Sequence, residues 1–147
     1  VLPAAFPSRL PAAAERSTIR IAHVGGSLLR SGGARRVVVA VTHNGTSGPW
    51  PSRLSFVGGL GWVRLAVVWV PSSGSTAPVA QQSADLPGMV FPGETVDSII
   101  ALRAIGDDGR PLPPGEYLVR IGLVQDGFSF FADKGDQTLD VAVKVAR

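Results

Sequence analysis

From Ile19 to Val145 apolar and polar side chains alternate again and again, and a period of two belongs to strands with one face buried. The pattern begins with Ile19, Ile21 and Val24 in TIRIAHV and returns with Val37, Val39 and Val41 in RRVVVAVTHNG. It continues through Val63, Leu65, Val67 and Trp69, then Val96, Ile100, Leu102 and Ala104, then Tyr117, Val119, Ile121 and Leu123. Leu139, Val141, Val143 and Val145 complete it, opposed by Asp140, Ala142 and Lys144. Asn44–Gly45, Gly106–Asp107–Asp108–Gly109, Pro113–Pro114–Gly115 and Gln125–Asp126–Gly127 supply turns between these segments. No stretch of about ten residues sustains a period near 3.6; the short candidate Ala12–Arg16 sits among prolines. The reading is an all-β fold, an antiparallel two-sheet sandwich of about seven to nine strands, with a small barrel as the alternative.

A chain of 147 residues is the size of one domain and buries a core without staples, which matters because it contains no cysteine. Disulfides, thiolate nucleophiles and cysteine-held metals are excluded. Trp69 and Tyr117 read as core, Tyr117 with its ring under a strand crossing and its hydroxyl on nearby backbone. Pro3, Pro7 and Pro11 deny residues 1–16 both a helix interior and a central strand, so 1–16 is expected to be an extended arm outside the core, with the sandwich at 17–147.

Charge is distributed lengthwise: residues 1–64 hold eight arginines against Glu15 alone, whereas 65–147 hold six basic and ten acidic residues. Arg35–Arg36 lack the aromatic or Gly-Lys companions of a nucleic-acid module, so a solvated basic face is expected and no nucleic-acid partner. No run reaches the roughly 18 to 20 apolar residues of a transmembrane helix.

Taken in order, Val39-x-Val41-Thr42-His43-Asn44-Gly45, Trp50, Val63-x-Leu65-x-x-x-Trp69, Pro92–Gly93–Glu94, Pro114–Gly115–Glu116–Tyr117, Leu123–Val124–Gln125–Asp126–Gly127 and Phe130–Phe131 form a set of landmarks. Their order resembles the immunoglobulin-like sandwich modules appended to bacterial glycosyltransferases and surface-polysaccharide proteins, similar in style to the carbohydrate-binding tail of O-antigen ABC exporters. The resemblance spans residues 36–146. It departs from the pattern at His43, where Asn is usual, at Phe130, where Trp is usual, and over Pro51–Gly61, which reads as an insertion. It implies an accessory module at the cell surface, outside the cell or on the cytoplasmic tail of a polysaccharide enzyme. Its partner would be carbohydrate or protein.

A catalytic constellation is not legible: His23 and His43 are the histidines, and no G-x-S-x-G elbow occurs. Gly58–Gly59–Leu60–Gly61 precedes a strand rather than a helix, which disfavours phosphate cradling. Asp107–Asp108 and the set Asp126, Asp133 and Asp136 match no calcium-loop spacing and read as turn residues. No enzyme, cofactor or metal is therefore expected. The aromatics remain. Trp50, Phe56, Trp62, Phe128 and Phe130 are the candidate ligand contacts, because aromatic faces near loops stack on the C–H surface of sugars and also fill protein interfaces. The rival expectation is an assembly subunit that contacts its partners through residues 1–16 and through exposed sheet edges.

Overall fold

A computed structural model describes residues 9–24, 29–53, 61–73 and 77–147. Within them lie nine strands: β1 (Ser17–Val24), β2 (Leu29–Arg30), β3 (Ala34–His43), β4 (Val63–Pro71), β5 (Ala80–Asp85), β6 (Thr95–Arg103), β7 (Gly115–Gln125), β8 (Ser129–Phe130) and β9 (Leu139–Ala146). Single 3₁₀ turns occupy Ala12–Ala14 and Phe131–Lys134.

The strands form two sheets. One has the order β1-β3-β6, the other β2-β9-β7-β4-β5, with β8 also on β7. Every pairing is antiparallel except β2 on β9, where Leu29 and Arg30 run parallel to Val145 and Ala146. This is a departure from the fully antiparallel expectation. It brings Leu29, 1% exposed, into the core.

Alternation places the core as the sequence implies. Val63, Leu65, Val67 and Trp69 of β4 and Tyr117, Val119, Ile121 and Leu123 of β7 face Val37, Val39, Val41, Ile100 and Leu102 of the smaller sheet in one continuous cluster. Trp69 meets Tyr117 edge to face, with ring centroids 5.9 Å apart. The Tyr117 hydroxyl donates to the Pro113 carbonyl at 2.6 Å, and burial pushes the phenol above its ordinary pKa. The ring is thus pinned four residues upstream of itself, as expected of a buried tyrosine that needs an acceptor. Strand β1 is an edge. Its register shifts between Ile21 and His23, and Ile21 and Val24 are exposed although they continue the inward series.

Two features differ from the sequence reading. The polar run AQQSAD forms β5, an edge strand whose core-facing positions are Ala80, Gln82 and Ala84, too small or too polar to register as apolar alternation. Residues 12–15 do not stay outside the core. Ala14 and Glu15 are fully buried, the Trp50 indole donates to the Ala14 carbonyl at 2.7 Å, and Thr46 N–H donates to Ala13. Pro11 starts the 3₁₀ turn instead of only extending the chain, and the backbone groups that the turn leaves free are satisfied by the loop after β3.

Candidate functional site

On the larger sheet the residues that alternate away from the core lie in rows across the strands. Phe130 of β8 is opposite Val124 of β7, Val124 is opposite Arg64 of β4, and Arg64 is opposite Asp85 of β5. In the neighbouring row Gly122, Ala66 and Ser83 stand side by side. Large groups at the margins and small ones between them leave a shallow depression of about 390 Å³, lined by Arg64, Ala66, Gln82, Ser83, Val124 and Phe130, with Gln81 and Asp126 at its rim.

Arg64 is held from two sides. One Nη lies 2.9 Å from Asp126 in the β7–β8 turn and the other donates to Ser83 Oγ on β5 at 3.2 Å. Its Nε is buried and has no partner among the described residues. A guanidinium fixed in this way is preorganised. Elsewhere on the same sheet Arg120 pairs with Asp140 at 3.1 Å, and Arg53 forks onto Asp85 at 2.6 Å. Hydrogen bonds to these carboxylates, reinforced by their charge, raise both guanidinium pKa values.

The candidate aromatics divide. Phe130 and Phe128 are exposed, 46% and 42%, and Phe130 lines the depression. Trp62 is half-buried immediately before β4, its carbonyl accepting the Asp126 N–H at 2.8 Å, which puts its backbone at the same end of the sheet. Its indole nitrogen is buried without a partner among the described residues. Trp50 is not a ligand contact: it is 0% exposed, stacked on His43 at 4.1 Å and edge-on to Phe131 at 5.5 Å. An indole that bridges the N-terminal turn and the core has no face left for a ligand. Phe56 lies outside the described residues.

The turn carboxylates have structural partners. Asp136 accepts from both the backbone N–H and the hydroxyl of Ser17, Asp107 from Gln81 N–H, and Asp108 from Arg110 N–H. Among the described residues no three His, Cys, Asp or Glu side chains converge as metal ligands. His43 is a structural group: Nδ1 accepts Gly45 N–H at 3.0 Å, Nε2 donates to the Gly48 carbonyl at 2.9 Å, and burial lowers its pKa.

Sequence reasoning did not find Arg64, Ala66, Gln82, Ser83 and Asp126 as a group. The signal for Arg64 and Ala66 was their place in the β4 alternation, whereas Gln82 and Ser83 needed β5 to be recognised as a strand. At the far end of the larger sheet a second depression, about 450 Å³, is lined by Pro71, Pro78, Pro111, Pro113 and Tyr117 with Arg110 at its margin.

No protein-family model and no curated relative matches the chain. Solved structures similar to it are a β-glucosidase from Listeria innocua in complex with glucose (12% identity, 90% of this chain, TM-score 0.48) and one from Erythrobacter marinus (14%, 88%, 0.44). A β-glucosidase from Kluyveromyces marxianus in complex with glucose is also similar (12%, 88%, 0.41). The chain spans 16%, 16% and 15% of those proteins, respectively, and at these scores the likeness says nothing about what it binds.

Proposed function

We propose that this chain is a non-catalytic immunoglobulin-like β-sandwich that serves as a carbohydrate-binding accessory module, using the outer face of its larger sheet. The immunoglobulin-like reading draws support from the order β1-β3-β6 opposite β2-β9-β7-β4-β5, which sends the chain between sheets after β1, β2, β3, β5 and β6. The Tyr117 hydroxyl on the backbone four residues upstream is a further feature of such sandwiches.

The observation that carries the binding reading is the grouping of exposed Phe130 with the fixed Arg64–Asp126 pair, Ser83 and Gln81 around the small residue Ala66. A sugar ring offers an apolar C–H face and a rim of hydroxyls. An aromatic ring takes the first, while guanidinium, carboxylate, amide and hydroxyl groups take the second. The depression is open and shallow, suited to a polymer surface more than to an enclosed small molecule.

Titration of the protein with surface polysaccharides and their oligosaccharides tests this reading, followed by heat of binding and tryptophan fluorescence. Binding that Phe130→Ala weakens by about tenfold or more, a loss of about 1.4 kcal/mol, is expected. Absence of binding to any glycan at millimolar concentration contradicts it.

An assembly role is the second reading. The outer edge of β1 carries no strand among the described residues, and Ile21 and Val24 are exposed there. An edge of this kind accepts a strand from a partner. A monomer at all concentrations, by light scattering, counts against it.

A further inference from the structure

The depression on the larger sheet does not end at β5. A second hollow, about 410 Å³, is lined by Gln82, Ser83, Ala84, Asp85, Ile99, Ala101 and Arg103, so it shares Gln82 and Ser83 with the first. It continues over the edge of β5 onto β6, where the two sheets are stitched together by side chains. The Gln82 amide donates to the Arg103 carbonyl at 2.6 Å and accepts from Arg103 N–H and the Trp69 indole, both at 3.3 Å, while Ser98 Oγ donates to the Asp85 carbonyl at 2.9 Å. The β5–β6 edge is therefore braced, and the hollow across it has a fixed floor.

The two hollows make one track that starts at Phe130 and ends at Ile99, the most exposed large hydrophobic of the described residues at 60%. The row Phe130, Val124, Arg64, Asp85 crosses three strand spacings, and the step to β6 adds one sheet-to-sheet distance, giving a length of roughly 24 Å. That is room for several monosaccharide rings in line, with an apolar contact at each end and polar groups between. Of the charged side chains along the track, Arg64 is tied to Asp126 and Asp85 to Arg53, while Arg103 has no carboxylate partner among the described residues.

Resting on the carbohydrate reading, we infer that the ligand is a linear glycan several residues long, lying across the strands from Phe130 over β5 to Ile99. The hydroxyls of such a chain are donors and acceptors at once and match paired Arg–Asp groups.

The test uses the whole chain and length ladders, from disaccharide to hexasaccharide, of neutral glucose- and mannose-based oligosaccharides, alongside oligogalacturonides as the anionic counterpart. In the protein, Phe130→Ala alters one end of the track and Ile99→Ser the other, both at exposed positions. The expected result is a neutral hexasaccharide that binds about tenfold or more tightly than the disaccharide. Ile99→Ser is expected to lower hexasaccharide affinity several-fold while leaving the disaccharide unchanged, and Phe130→Ala to weaken both. Length-independent affinity, or no effect of Ile99→Ser on the hexasaccharide, overturns the track while leaving Phe130-dependent binding in place. If no glycan of either kind binds, the carbohydrate reading itself fails.

Discussion

The His43 imidazole lies flat on the Trp50 indole, with centroids 4.1 Å apart and planes inclined by 9°. The pair joins the end of β3 to the N-terminal turn, because Trp50 donates to Ala14 while His43 organises the loop through Gly45 and Gly48. Since Nδ1 accepts from Gly45 and burial lowers the pKa, the folded protein holds this ring neutral.

A pH effect on stability follows, with a definite sign. The folded-state pKa lies below the ordinary 6.5, so the unfolded chain takes up the proton first as pH falls. The contribution of His43 to stability is complete above about pH 6.5 and is lost on acidification below it. Urea midpoints measured from about pH 7.5 down to about pH 5 should fall, and the decline should be shallower in His43→Gln, which cannot take up the proton.

The approach of the N-terminal turn to the β3 loop depends on Gly45. A Cβ there would meet the Ala13 and Ala14 carbonyl oxygens at 2.7 Å. Gly45→Ala should destabilise by about 1–3 kcal/mol and make the segment around residues 9–16 more susceptible to proteolysis, as read by denaturation and limited digestion.

Glu15 is fully buried, and the Lys134 ammonium 3.3 Å away is its only ion-pair partner among the described residues. Removing the cation strands the carboxylate, whereas removing both charges does not. Lys134→Met should therefore cost about 3 kcal/mol, and adding Glu15→Gln should recover a large part of the loss, in a double-mutant cycle by chemical denaturation.

Tyr117→Phe removes one hydrogen bond, to the Pro113 carbonyl, and keeps the packing against Trp69. A loss of about 1 kcal/mol in thermal or urea denaturation is expected, with glycan binding unchanged, because the ring is at the other end of β4 from Phe130.

The strands legible in the sequence were those whose inward residues are large and branched, as in Val63–Trp69 and Leu139–Val145, because there the core demands a strict period of two. Strand β5 escaped notice because an edge strand with Ala80, Gln82 and Ala84 facing inward contributes hydrogen bonds more than apolar area. The same omission hid part of the site, since Gln82 and Ser83 join it only once β5 pairs with β4. Aromatic type alone did not separate Trp50 from Phe130. The difference is set by neighbours distant in sequence: Ala14 and Phe131 help enclose one, while the described residues leave the other 46% exposed.

The central claim is that the outer face of the larger sheet is the glycan-binding surface, and the most direct test is a map of backbone amide shifts in ¹⁵N–¹H spectra during titration with a neutral hexasaccharide. The account predicts that saturable shifts concentrate at Arg64, Ala66, Gln82, Ser83, Val124, Asp126 and Phe130 and extend to Ile99. Shifts that gather instead at the proline-lined end, around Pro71, Arg110 and Leu112, or an unchanged spectrum, would contradict it.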